Sequence, residues 1–354
     1  MEMTTIKVGV IGLGSISDMH LEAYASNPKV RLEAICDLNL ERAQAKADKY
    51  GVARIYANYN SLLENPDIDA VSICTWNNTH AEISIAAVRA GKHVLVEKPL
   101  CKTVEEAHRI QEAVRESGKK LQVGYVRRYD PNARIIHDFI QSGELGDIYY
   151  ARASCIRRYG NPGGWFADAE KSGGGPLIDI GVHVIDLMWY LMGRPKAVTA
   201  SANTYRKLGN RANLKYTSGY KASDYNDQIN NVEDMANALI RFDNGASLYV
   251  DVSFTLHAKQ DEMTIKLYGE KGGCELEPAT VLVTEKHDVA LNMMPQTETP
   301  SFHFIKAFQN EIDHFVDCIV DNAVPLSPVE DGVEMMKILC GIYESAALGK
   351  EVVL

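Results

Sequence analysis

Val8-Gly9-Val10-Ile11-Gly12-Leu13-Gly14-Ser15-Ile16-Ser17 is the stretch whose reading decides the fold. The apolar run Ile6–Ile11 reads as a buried strand, and Ile16–Ala25 has the spacing of a helix. Between them stands a GxGxx-small turn. Gly12 permits the tight turn and Gly14 lets a pyrophosphate approach the backbone. Ser15 and Ile16 open the helix, whose first N–H groups and positive dipole end suit an anion. The third position is Ser17 rather than glycine, small enough for close packing of helix on strand. Alone such a turn is common; between a strand and a helix it points to a dinucleotide.

Outward from this turn the alternation continues. Arg31–Cys36, Ala70–Cys74, His93–Val96 and Leu121–Val123 read as strands; Leu40–Tyr50, Thr79–Ala90 and Val104–Ser117 read as helices. Thr103 with Glu106 makes a capping box, and Gly91 and Gly118 stand where helices end. This predicts an α/β first domain, residues 1–124, with a parallel sheet. From residue 125 to 354 the pattern changes. Pro131–Gln141, Pro176–Met192, Phe304–Ile319 and Val329–Ala347 are expected helices. Ile148–Ile156, Ala197–Thr204, Met235–Phe242, Ala246–Phe254, Met263–Tyr268 and Val281–Thr284 are expected strands, with Asp243-Asn244-Gly245 as a hairpin turn. Such segregation predicts an α+β domain with a large open mixed or antiparallel sheet. Arg206–Asn231 and His287–Ser301 read as surface loops. Tyr205, Tyr216, Tyr220 and Tyr225 in or beside the first suggest an oligomer contact or the mouth of a cleft.

Bulk properties narrow the classes. The 354 residues carry a net charge of −10, which disfavours nucleic acid as a partner. Seven scattered cysteines show no CxxC spacing, so neither a disulfide framework nor a zinc ribbon is expected, and a reducing cytoplasm is the simplest home. Met1–Lys7 does not read as a signal peptide, and no apolar run approaches a membrane span.

Three further stretches carry chemistry. Asp37 ends the second strand, where a carboxylate accepts the ribose hydroxyls of an adenosine and repels a 2′-phosphate. That favours NAD over NADP, with Arg42 near enough to soften the preference. Lys98, in Glu97-Lys98-Pro99, follows the strand His93–Val96 and so projects from the carboxyl edge of the sheet, where ligands sit. Pro99 suits a turn fixed by a cis bond. Finally, after Gly173-Gly174-Gly175, an apolar helix bears Asp179, His183 and Asp186 on what spacing makes one face. A histidine one turn from a carboxylate suits a general base. No second His/Cys/carboxylate cluster completes a metal site, so no metal is expected.

Taken together, Gly12–Ser17, Glu97-Lys98-Pro99, Gly124–Tyr129 and Gly173–Asp186 resemble the glucose–fructose oxidoreductase, inositol dehydrogenase and MocA-like group, Gfo/Idh/MocA. The resemblance spans essentially the whole chain. It implies a Rossmann domain, then an α/β domain through whose open sheet members usually form dimers or tetramers. Lys98, Asp179 and His183 correspond to the catalytic set, and Thr75, Asn77, His80 and Glu97 to the nicotinamide side. Trp76 departs from the proline that members often have there. Gly124–Tyr129 looks like inositol dehydrogenases, whereas Gly164-Trp165-Phe166 looks like sugar-active members, so the substrate stays open. Tyr125, Arg128 and Trp165 are candidates for the substrate wall. The reaction implied is reversible oxidation of a secondary ring hydroxyl of a sugar, sugar derivative or cyclitol. An NAD-dependent glycosidase working by transient oxidation, or a catalytically silent NAD-binding protein, is the alternative.

Overall fold

The structure is a computed structural model that describes residues 5–215, 220–222, 224–226 and 228–354. Tyr216, one of the loop tyrosines singled out above, lies outside the described residues. The chain forms two compact units. The first comprises Met1–Tyr125 and Phe308–Met336, the second Val126–Ala307 and Lys337–Leu354.

In the first unit the order is β1 (Ile6–Ile11), α1 (Ser17–Ser26), β2 (Val30–Cys36), α2 (Leu40–Tyr50), β3 (Arg54–Tyr56), α3 (Tyr59–Leu63), β4 (Ala70–Ile73), α4 (Asn77–Arg89), β5 (His93–Glu97), α5 (Val104–Ser117) and β6 (Leu121–Gly124). The strands form a six-stranded parallel sheet in the order β3-β2-β1-β4-β5-β6. Strand order reverses between β1 and β4, and the crevice at the carboxyl ends there is where such sheets bind dinucleotides. The capping box of α5 forms with a shift. Thr103 Oγ1 accepts the Glu106 N–H at 3.1 Å, while the Glu106 carboxylate reaches back to the Lys102 N–H at 2.9 Å. β3 and α3 were not anticipated, because neither is long enough to show periodicity. A core of Val8, Val10, Leu13, Leu21, Tyr24, Ile35 and Leu95 is closed by Ile312, Phe315 and Val316, which come from far along the chain.

The second unit continues with α6 (Pro131–Gln141), β7 (Ile148–Ile156), α7 (Ala169–Ser172), α8 (Val182–Leu191), β8 (Ala197–Tyr205), β9 (Met235–Phe242), β10 (Ser247–Ser253), β11 (Glu262–Gly269), β12 (Gly272–Glu277), β13 (Val281–Lys286) and β14 (Val289–Met293). Helices α9 (Phe304–Val320) and α10 (Val329–Leu348) and the short β15 (Val352–Val353) end the chain. Nine strands make one sheet, β14-β13-β12-β11-β7-β10-β9-β8-β15, mixed because β7 and β10 run parallel while the other pairs are antiparallel. The expected hairpin at Asp243–Gly245 joins β9 to β10, with Gly245 at φ +84°. One expectation fails. His287–Ser301 is not wholly a loop, since Val289–Met293 pairs with β13 as an edge strand. The expected helix over Pro176–Met192 also opens differently, with a π turn over Leu177–Gly181 before α8. Among the described residues of 206–231 no helix or strand forms. All seven cysteines are free thiols. No helix among the described residues is long and apolar enough to cross a membrane.

One half-buried group makes the first unit acid-sensitive. His93 Nδ1 accepts the Lys120 N–H at 3.1 Å, a bond available only to an unprotonated nitrogen. Burial, then the nearby Lys119 and Lys120, push its pKa down to about 4 from an ordinary 6.5. The unfolded chain therefore binds a proton between pH 6.5 and about 4 that the folded chain refuses. Stability from this group is full above pH 6.5 and is lost as pH falls toward 4. A His93→Asn variant should show a shallower decline of melting temperature across that window than the parent. Parallel curves would contradict it.

Candidate functional site

The glycine turn is built as close packing requires. Gly12 has φ +85°, and a Cβ there would lie 2.7 Å from the Cys74 carbonyl carbon and oxygen and 2.8 Å from Thr75 Cγ2. Only glycine lets the turn lie against the end of β4. At Gly14 the opposite holds, since a Cβ would meet nothing within 4 Å. The backbone at Gly14 faces open space, as a pyrophosphate cradle must. Ser17 Oγ donates to the Gly14 carbonyl at 2.7 Å. Lys46 Nζ bonds that same carbonyl at 3.2 Å, Ser17 Oγ at 2.8 Å and Asp18 at 2.9 Å. The non-glycine third position is thus a working part of the turn. Ser15 is exposed at its tip and Ile16 half-buried behind it.

Asp37 is tied to the same turn. Its Oδ2 accepts the Leu13 N–H at 2.7 Å; its Oδ1 accepts the Asn39 N–H at 2.7 Å and Arg42 Nη2 at 2.8 Å. The carboxylate therefore fixes the loop. These features fit a nicotinamide dinucleotide held by Gly12, Gly14, Ser15, Ile16 and Asp37.

At the ends of β4 and β5 a second group of residues converges. Glu97 is buried, and its Oε1 meets His20 Nε2 at 2.8 Å, while its Oε2 accepts the Lys98 N–H at 3.3 Å. The peptide bond Lys98–Pro99 is cis, as the turn reading anticipated, and Lys98 itself keeps partial exposure. His20 also bonds Ser72 Oγ at 3.2 Å, and Ser72 Oγ bonds Tyr24 Oη at 2.8 Å, all of it out of solvent. Burial opposes charging His20, but the Cys74 sulfur and the Glu97 carboxylate beside it outweigh burial and raise its pKa. Burial likewise opposes charging Glu97, and the His20 bond overcomes it, lowering the carboxyl. Glu97 and His20 therefore form a buried hydrogen-bonded pair. Sequence reasoning passed over His20. Its signal was a polar residue on the face that α1 buries with Ser17, Leu21 and Tyr24.

His80 lies on the other side of the same turns. Its Nδ1 bonds the Pro99 carbonyl at 2.8 Å and its Nε2 the Thr75 carbonyl at 3.1 Å. The ring is wholly buried, and burial depresses its pKa. With its ring wholly buried against two backbone carbonyls, His80 supports the turns rather than presenting a nitrogen to solvent. Asn77, the first residue of α4, is buried, and Thr75 accepts the Thr79 hydroxyl at 2.8 Å.

In the second unit the polar stripe divides. From Gly174 to Met192 every residue is buried except Asp179 and His183. Asp186 is instead buried against Arg128, with Nε–Oδ2 at 2.9 Å and Nη2–Oδ1 at 2.6 Å. The expected common face of Asp179, His183 and Asp186 is thus corrected. The π turn breaks the α spacing ahead of His183, and the Arg128 fork draws Asp186 inward. Arg128 is corrected with it. Its side chain has no exposed surface, and its guanidinium lies 4.8 Å from the Tyr190 ring, so it braces α8 and offers no wall to a substrate. Tyr125, in the first unit, is likewise buried. Trp165 is half-buried, stacked on Phe166 with centroids 4.0 Å apart, and Phe166 meets Tyr220 edge-on at 6.2 Å. Backbone bonds from Gly164 N–H to the Asn226 carbonyl (3.2 Å) and from Ala222 N–H to the Pro162 carbonyl (2.9 Å) tie this aromatic step to the loop after Arg206.

A parallel sheet in dinucleotide-binding order, a glycine turn with an acidic partner and a lysine at the end of β5 define a nicotinamide-dependent oxidoreductase. Residues 6–125 match the family model described as "Oxidoreductase family, NAD-binding Rossmann fold", and residues 138–354 match "Oxidoreductase family, C-terminal alpha/beta domain". The chain belongs to this Gfo/Idh/MocA oxidoreductase family. It is 30% identical over 355 residues to D-glucoside 3-dehydrogenase of Escherichia coli (strain K12), covering 99% of this chain and 98% of that protein. It is 29% identical over 326 residues to scyllo-inositol 2-dehydrogenase (NAD(+)) of Bacillus subtilis (strain 168), covering 91% and 88%. A levoglucosan dehydrogenase solved in complex with NADH superposes with a TM-score of 0.87 at 25% identity, covering 99% of each chain.

The two glycines should separate experimentally. Gly12→Ala adds a clash with backbone and a left-handed strain of about 1–2 kcal/mol, so it should lower both thermal stability and NADH affinity. Gly14→Ala, which meets no protein atom, should melt like the parent and still bind NADH weakly by fluorescence titration. Equal effects in both assays would contradict this division.

Proposed function

We propose that the chain is an NAD-dependent dehydrogenase that reversibly oxidises a secondary ring hydroxyl of a sugar, sugar derivative or cyclitol. The observation that carries this reading is that an otherwise buried helix keeps only Asp179 and His183 in reach of solvent. The substrates for which its relatives are named, a glucoside, an inositol and levoglucosan, support it.

When bound, the nicotinamide accepts the hydride; the rest falls to the protein's own groups. His183 takes the proton from the substrate hydroxyl. Lys98 donates a hydrogen bond that stabilises developing negative charge on the substrate. Asp179 orients His183 or holds a neighbouring hydroxyl. Glu97, anchored by His20, fixes the backbone that carries Lys98, and Trp165 supplies an apolar plate for a sugar ring. Thr75 and Asn77 stand on the nicotinamide side. Asp37 makes NAD the preferred coenzyme over NADP.

We also infer a homo-oligomer in a reducing cytoplasm. Support for assembly comes from the strand register that puts Tyr150, Arg152, Tyr249 and Tyr268 on one sheet face, with Tyr150 stacked on Tyr268 at 5.5 Å. A molar mass in solution equal to one chain would remove this part.

The substrate class is tested by a panel of sugars and cyclitols, run with NAD and with NADP and followed by absorbance of the reduced coenzyme. Turnover of a ring polyol with NAD in preference to NADP is expected. With that substrate, Lys98→Met or His183→Ala should lower kcat/KM by about 10²–10⁴-fold, the usual worth of acid–base catalysis. NAD affinity should change little. Near-normal turnover by His183→Ala would remove it from the mechanism, and lost NAD binding in Lys98→Met would make that lysine a cofactor anchor.

A further inference from the structure

The segment bearing Asp179 and His183 begins at Leu177 behind Pro176, which supplies no side-chain cap of its own. Its leading N–H groups are instead received by a distant carboxylate. Glu233, just ahead of β9 and buried, accepts the Gly175 N–H on Oε2 at 2.8 Å and the Leu177 N–H on Oε1 at 3.2 Å. Tyr343, on α10, donates its hydroxyl to Glu233 Oε1 at 2.8 Å. Burial, then the Glu233 anion, raise the phenol far above its ordinary range, so it remains a donor.

The triple glycine is shaped around this pair. A Cβ at Gly174 would sit 2.0 Å from Tyr343 Oη, and one at Gly175 would sit 2.4 Å from the Glu233 carbonyl oxygen. The glycines thus let the Tyr343 hydroxyl and the Glu233 main chain press directly onto the backbone that leads into the π turn. Such turns are rare, cost regular hydrogen bonding, and persist where neighbouring groups hold them. Here the holding groups sit two residues ahead of Asp179.

We propose that Glu233, supported by Tyr343, is a positioning residue that sets the placement of Asp179 and His183 for proton transfer. The chemistry demands a carboxylate. Both oxygens accept backbone N–H groups, so an amide of the same shape must aim its NH2 at one of those donors. An aspartate is a methylene too short to reach both. The anion also lies at the N-terminal end of the helix, where a negative charge is favourable. This inference rests on the reading that Asp179 and His183 are the reacting pair.

The test is a double-mutant cycle on the full-length protein with the polyol that the panel identifies. A misplacement of about 1 Å far from the chemistry can cost ~10²-fold, so Glu233→Gln should lower kcat by roughly ten- to a hundredfold. NAD affinity, carried by the first unit, should be unchanged, and Glu233→Asp should not rescue. The decisive readout is Glu233→Gln added to His183→Ala. If Glu233 acts through His183, the double variant turns over no more slowly than His183→Ala alone. Losses that multiply would overturn the proposal by showing an independent structural role. Parental kcat in Glu233→Gln, with His183→Ala inactive, would overturn it while leaving the site reading intact. Near-normal turnover by His183→Ala would overturn both. Should Glu233→Gln not fold, Tyr343→Phe, which keeps the carboxylate and removes one bond to it, enters the same cycle with the same outcomes.

Discussion

The buried pair of His20 and Glu97 is the interaction on which the nucleotide end of this molecule depends. At 2.8 Å and out of solvent, it joins the helix that follows the glycine turn to the strand that delivers Lys98. Removing one partner of such a pair strands a charge in a low dielectric, which typically costs about 3–5 kcal/mol. The pair couples the phosphate-binding turn to the lysine, so that neither can shift alone. His80 completes the arrangement by tying the carbonyls of Thr75 and Pro99. The ends of β4 and β5 and the helix α1 are thereby tied together by two buried imidazoles.

The second unit repeats the logic with different chemistry. There a helix must pass through apolar surroundings and still present two polar side chains. Arg128 and Asp186 neutralise each other inside, and Glu233 with Tyr343 closes the helix start. What remains outward is Asp179 and His183. Exposure at these two positions follows from the pairing of the others.

Much of this was legible in the chain. The strand–turn–helix at Ile6–Ser26 carries its own punctuation, and the Asp-Asn-Gly turn between β9 and β10 states its geometry locally. Features that depend on tertiary partners were not legible. β14 is exposed along nearly its whole length, so it has no alternation to reveal it, and it exists because β13 offers an edge. The π turn leaves no period in the sequence. Arg128 looked like a ligand-binding cation because nothing near it in sequence announces Asp186, 58 positions away. His20 drew no notice for the same reason, with its partner 77 positions on.

Asp37 serves two masters, and this bears on how coenzyme choice can change over evolution. On the proposed reading its charge discriminates between coenzymes, while its Oδ2 holds the Leu13 amide that shapes the glycine turn. A lineage drifting toward the phosphorylated coenzyme by losing this carboxylate would unmoor the loop that grips any dinucleotide. Arg42, already bonded to Asp37, would at the same stroke be released to meet a phosphate. The shortest viable path is therefore a residue that keeps an acceptor for Leu13 without the charge, such as asparagine or serine. The barrier to switching lies in loop order as much as in electrostatics.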